Sequence, residues 1–152
     1  MNYRIRPLAT ATTLLAAAAL TTGAFAKDES VMSAGKLAKD AKNYYGQTVA
    51  VKAEVEDVLS ANAFTLDEDA IFAGPDVLVL VPKGVASQLT HDQKVTVRGK
   101  VRRYVVADLD KDLDWFDNGK IVQTKTKVDW DTRPVIVAEA VITADGHDLL
   151  GM

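Results

Sequence analysis

Gln47-Thr-Val-Ala-Val-Lys-Ala-Glu-Val55 is the stretch that decides the fold. Val49, Val51, Ala53 and Val55 alternate with Ala50, Lys52, Glu54 and Glu56, and a period of two marks a strand with one face buried. The same pattern returns in Gln93-Lys-Val-Thr-Val-Arg-Gly-Lys-Val101, with glutamine and three valines in matching places. The intervening segments differ, so the two read as long barrel strands of similar curvature and not as a repeat. Gly99 stands where the first strand has Ala53, and a glycine inside such a strand marks a bend or a close approach.

Outward from these strands, the first alternation slips at Asp57-Val58-Leu59, which predicts a bulge, and Ser60-Ala61-Asn62 predicts a turn. Ala63 to Leu66 starts a second strand. Gly74-Pro75-Asp76 breaks the chain before an apolar third strand, Val77 to Val81, ended by Pro82. Lys83 to Thr90 reads as a helical turn with Val85 and Leu89 inward. The last strand runs from Pro134 to Ile142, with Val135, Val137 and Glu139 alternating against Ile136, Ala138 and Ala140. Upstream, residues 27–46 form a polar helical lead-in, where Ser33 caps a helix through Ala41 that presents Leu37 and Ala41 on one face and stops at Gly46.

This order defines a mainly β fold: a five-stranded OB-fold Greek-key barrel over residues 47–143, with a helical turn between strands three and four and a long insert, 107–133, between strands four and five. Residues 144–152 read as a tail. The series Gly46-x-x-Val-x-Val-x-x-x-Val, Ala63-Phe-Thr-Leu-Asp67, Val77-Leu-Val-Leu-Val-Pro82, Val95-x-Val-x-Gly-x-Val101 and Arg133-Pro-Val-Ile-Val-Ala138 resembles a group of small secreted bacterial OB-fold proteins of unassigned activity. The resemblance implies a fold and a compartment but no reaction, since one fold carries many functions.

The first 26 of the 152 residues agree with that compartment. Arg4 and Arg6 precede an apolar run from Leu8 to Leu20, and Ala24-Phe25-Ala26 has small residues at both positions a signal peptidase inspects. An uncleaved anchor is the alternative, but Thr10, Thr12, Thr13, Thr21 and Thr22 interrupt the run. Cleavage after Ala26 leaves a single domain of about 126 residues, and loss of the two arginines moves the formal charge from −3 to about −5. A periplasmic or secreted protein with no stable membrane insertion is expected. The chain has no cysteine, which excludes disulfides, a lipid-modified cysteine and thiol chemistry.

Asp108-Leu-Asp-Lys-Asp-Leu-Asp114 places Asp108, Asp110, Asp112 and Asp114 at alternate positions, a composition that suits calcium. The EF-hand pattern fails, however: counting from Asp108 the sixth and twelfth places are Leu113 and Gly119, and from Asp110 they are Trp115 and Ile121. Two plainer readings compete. In one, 105–116 is a helix burying Val105, Leu109, Leu113 and Phe116. In the other, the segment is a strand entering a hairpin at Asp117-Asn118-Gly119, with Lys125 and Lys127 opposite the acidic row. The apolar spacing favours the helix.

Arg98, Lys100 and Arg102 form a basic row on strand four, with Arg103 beside it. On an OB barrel such a row suggests phosphate tracking. The acidic net charge and the leader oppose nucleic acid, and ion pairs with Glu54 and Glu56 across to strand one, beside Lys52, explain the row more simply. Anionic envelope ligands are the functional alternative. His91 and His147 belong to no metal or catalytic pattern, and no nucleophile motif appears, so the expectation is non-catalytic. Tyr44, Trp115 and Trp130 read first as plugs of the barrel ends. The resulting expectation is an exported binding or adaptor module for an unknown envelope ligand or protein. It uses a groove between strands two and three and the insert, formed by Phe64, Arg102, Arg103, Tyr104 and Trp115. No cofactor is expected, with calcium on the aspartate row as the second reading.

Overall fold

β2, Thr48–Ser60, is long enough to serve two neighbours, and its bend closes the barrel. In the computed structural model, which describes residues 30–68, 75–124 and 128–151, its first half pairs antiparallel with β5, Lys94–Arg103. Its second half pairs with β3, Ala63–Asp67. The register slips on either side of Val58, as the broken alternation predicted, and the Thr65 hydroxyl accepts the Asp57 amide freed there (3.1 Å). β3 continues to β4, Val77–Leu80, which runs parallel to β6, Pro134–Thr143; β6 then returns antiparallel to β5. The result is the expected five-stranded OB-fold barrel. The helical turn between its third and fourth strands is a 3₁₀ turn, Val85–Gln88, with Val85 and Leu89 buried.

Gly99 sits at the tightest point of the seam. A Cβ there would lie 2.2 Å from the Val137 carbonyl oxygen and 2.8 Å from the Ile136 Cγ2, so only glycine lets β5 and β6 approach. The same place carries a second bulge, since Arg98 pairs with Ala140 while Gly99 pairs with Ala138. The extra residue, Glu139, therefore breaks the simple alternation expected for the last strand: Ile136, Ala138 and then Val141 face the interior. Val135 and Val137 face the other way.

Three expectations are corrected. Residues 31–33 form a sixth strand, β1, Val31–Ser33, parallel to β2. It leads into α1, Ala34–Asp40, capped by Ser33 as predicted through the Lys36 amide (3.2 Å), and a 3₁₀ turn at Ala41–Asn43 follows. Leu37 is buried as its place on the inward face predicts, and with Ala34 it joins the barrel core, so the lead-in is an integral layer of the fold. The segment read as a tail also folds back. Leu149 N–H donates to the Val141 carbonyl (2.9 Å), and Leu149 and Leu150 pack on the core. Finally, β2 and β5 are antiparallel neighbours, but Ala50 faces Arg98, Thr48 faces Lys100 and Lys52 faces Thr96. Glu54 pairs with Lys94 instead (3.7 Å). The expected leader, residues 1–26, the breaker at Gly74, and Lys125 and Lys127 lie outside the described residues. None of the described helices is long and apolar enough to cross a membrane.

Between β5 and β6 the insert contains α2, Val106–Asp112, α3, Asn118–Thr124, and a 3₁₀ turn at Trp130–Thr132. The helical reading holds in part: the helix covers only 106–112, and of the four side chains expected inward Leu109 and Phe116 are buried, Leu113 is half-buried and Val105 is 40% exposed. The hairpin does not form, because the Asp117 carboxylate accepts the Lys120 amide (3.2 Å) at the start of α3. β4 is consequently buried on both sides: Val77 and Val79 belong to the interior, while Leu78 and Leu80 support the insert.

Candidate functional site

The outer face of the second and third barrel strands, with the loops beside it, is where OB folds commonly bind oligonucleotides and oligosaccharides. Here that face belongs to β3 and β4, and the insert covers it. Leu109, Phe116, Ile121 and Trp130 lie on Ala63, Leu78, Leu80 and Val135 in a closed hydrophobic cluster. Tyr104 stands at its centre, with its ring 6.2 Å from Phe116 and 6.3 Å from Trp130, and its hydroxyl donates to Asn118 Oδ1 (2.5 Å). Burial, with Asp131 adding a smaller repulsion, pushes the Tyr104 phenol up to about 12.

The groove expected between β3, β4 and the insert is therefore filled. Phe64 is wholly buried inside the barrel, Tyr104 is 4% exposed, and Trp115 is half-buried against the outer cluster. Phe64 and Tyr104 owe their burial to strands and helices distant along the chain, and Trp115, whose first reading is a plug of a barrel end, packs on the outer cluster instead. Trp130 plugs, as expected, but it plugs the outer face and not the barrel end.

Arg102 and Arg103 come together elsewhere. The last turn before β2, the end of β5 and the start of α2 enclose a groove of about 470 Å³ whose charged lining is Lys100, Arg102, Arg103, Asp108 and Asp112. Two backbone bonds set its geometry. Gly46, at φ +82°, donates its N–H to the Val101 carbonyl (2.8 Å), and Val101 donates to the Gln47 carbonyl (2.9 Å). They hold Tyr45 against the end of β5, where the Arg103 guanidinium lies 4.4 Å from the centre of its ring. Across the groove Arg102 pairs with Asp112 (2.7 Å), tying the barrel to α2. Arg98, expected in the same row, instead pairs with Glu139 of the bulge.

The aspartate row is divided by the helix that carries it. Asp108 and Asp112 are one turn apart and share the groove, while Asp110 lies roughly 200° around the axis. Asp110 and Asp114 are exposed and do not line the groove. No cluster of three or more His, Asp or Glu side chains that could hold a metal ion occurs among the described residues. Calcium coordination by Asp108, Asp110, Asp112 and Asp114 together does not fit this arrangement, because Asp110 diverges from Asp108 and Asp112 around α2 and Asp114 lies beyond the end of the helix. His91 is exposed in a turn. Its ring contacts the Glu56 carbonyl and Asp92, which raise its pKa in that order.

Tyr45, Gly46 and Val105 were absent from the expected site. Tyr45 had a signal, an aromatic directly before a turn glycine and a barrel strand. Its partner Arg103, however, lies on another strand and becomes visible only once the β2–β5 register is known.

No family model matches the sequence, and no curated protein does. Among solved structures the chain is similar to OBody AM3L09 bound to hen egg-white lysozyme: TM-score 0.42 and 18% identity, over 67% of this chain and 85% of that one. It is similar also to aspartyl-tRNA synthetases from Leishmania major Friedlin (TM-score 0.42, 10% identity, 85% of this chain) and Entamoeba histolytica (TM-score 0.43, 12% identity, 84% of this chain). The chain spans 22% and 23% of the two synthetases. At these scores the likenesses say nothing of what this chain binds.

Proposed function

We propose that the chain is an exported, non-catalytic binding module of the bacterial envelope that holds an anionic group in the groove between Tyr45, the end of β5 and α2. The observation that carries the binding half is the convergence of two exposed cations, Lys100 and Arg103, on one groove, with no ion pair to either among the described residues. Arg103 is stacked on Tyr45, so its guanidinium is oriented before a ligand arrives and less side-chain entropy is lost on binding. The export half rests on the Met1–Ala26 pattern.

Nucleic acid is the competing partner. It gains nothing from the outer face of β3 and β4, where the aromatics available for stacking are already packed under the insert. Amide chemical shifts of the chain lacking residues 1–26 test the reading, with N-acetylated tetraglutamate as the anionic probe and a single-stranded oligonucleotide beside it. Shifts are expected at Gly46, Val101 and Arg103 with the peptide, and Lys100→Ala with Arg103→Ala should weaken binding about tenfold or more. Unchanged affinity in the double variant, or oligonucleotide shifts spread along β3 and β4, overturns it.

A further inference from the structure

The groove has a second wall of the opposite sign. Asp108 and Asp112 project from one face of α2, facing Lys100, Arg102 and Arg103 of β5. The Arg102–Asp112 pair uses one charge of each sign and joins the walls. What remains is Lys100 and Arg103 on one side and Asp108 on the other, all exposed and none in an ion pair among the described residues. Between them lie the Tyr45 ring and Val105, which is 40% exposed and gives the groove an apolar patch.

From this we infer that the groove recognises a zwitterion, an ammonium and a carboxylate joined by a short hydrocarbon or peptide backbone, as in an amino acid or a short peptide with free ends. The inference rests on the binding module proposed above and specifies its ligand. A ligand carrying only negative charge meets Asp108 as well as the two cations, in a chain whose formal charge is already −3. A ligand carrying only positive charge meets Lys100 and Arg103. A molecule with both charges satisfies each wall: the carboxylate accepts from Lys100 and Arg103, the ammonium donates to Asp108, and the linking atoms lie on Tyr45 and Val105. A volume of about 470 Å³ admits a short peptide and leaves a single amino acid loosely held.

Calorimetric titrations of the chain lacking residues 1–26, with alanyl-glutamate, N-acetyl-alanyl-glutamate and free glutamate, test this. The free dipeptide should bind about tenfold more tightly than its acetylated form. Asp108→Asn should remove that difference while leaving the acetylated form bound at least as well as before. Free glutamate binding as tightly as the dipeptide assigns the site to single amino acids; weaker binding assigns it to peptides, and both outcomes support a zwitterion site. Equal affinity for free and acetylated dipeptide, or a difference that survives Asp108→Asn, overturns the inference while the anion-binding reading stands. Failure of all three probes and of tetraglutamate overturns both.

Discussion

The barrel interior and the layer beneath the insert are both closed hydrophobic clusters, yet they are made of different residues. The interior is aliphatic, with Val51, Val55, Val79, Val97 and Val141 around one fully buried ring, Phe64. The outer layer is built on rings: Tyr104, Phe116 and Trp130 pack on Leu78, Leu80 and Val135. Strands supply the first cluster through their period of two, and β-branched side chains fill a curved sheet well. An irregular insert supplies the second, where large flat side chains span the gaps between short helices and a sheet. The interior makes the barrel, whereas the outer layer determines which surface stays open. By covering the face of β3 and β4, it leaves the groove at Tyr45 as a concavity where charged side chains of both signs meet solvent.

The largest expected effects separate these two clusters. Phe64→Ala should cost about 3–5 kcal/mol, because the ring lies at the centre of a barrel whose closed sheet cannot collapse onto the void. Urea unfolding measures the loss, and amide exchange should rise throughout the sheet. Leu80→Ala should cost about 2–5 kcal/mol, with exchange rising first in α2 and α3 while the Val51 and Val97 amides keep their protection. Should both variants expose the whole chain together, the clusters form one cooperative unit and the comparison fails.

That division also explains what could be read in advance. The barrel was legible because Val49-x-Val51 and Val95-x-Val97 carry their burial in the local pattern, and because Gly99 and the slip at Asp57 are local signals of close approach and bulge. The outer layer was half legible: the spacing of Leu109, Leu113 and Phe116 indicated a helix, but nothing local indicated that it lies on Leu78 and Leu80. β1 was missed because three residues beside a helix cap make too short a run to show alternation. The site suffered most, since its residues come from three segments and their meeting depends on register. Ala50 opposite Arg98 and Thr48 opposite Lys100, where Lys52, Glu54 and Glu56 had been set beside the basic row, are enough to move Lys100 out of an ion-pair ladder and into a groove beside Arg103.

A smaller effect tests whether the polar handle of the outer layer matters. Tyr104→Phe removes the bond to Asn118 and keeps the ring, so a loss of about 0.5–1.5 kcal/mol is expected near neutral pH. The pH dependence has a definite sign. The phenol is raised from 10 to about 12 in the folded chain, so the folded state retains this proton where the unfolded state has lost it. The contribution of Tyr104 is fully present below pH 10 and is lost as pH rises through about 12. Thermal unfolding from pH 9 to 12 should therefore fall less steeply in Tyr104→Phe than in the parent chain. Parallel curves would mean that the outer layer is open enough to hydrate the hydroxyl.

The smallest expected change in stability belongs to Arg102→Ala. Its pair with Asp112 is partly exposed, the arginine side chain being 25% and the aspartate 48% accessible, and pairs of this kind contribute about 0.2–1 kcal/mol, less in high salt. The same substitution should be more visible in binding than in folding. Without Arg102 the Asp112 carboxylate joins Asp108 as an unopposed negative charge on the α2 wall, so affinity for an N-acetylated acidic peptide should fall by more than the loss of one distant cation explains. Arg102→Ala combined with Asp112→Ala restores the balance of the walls and should recover part of that affinity. Recovery would show that the pair sets the charge of the groove; a double variant as weak as the single one would show that Arg102 contacts the ligand directly.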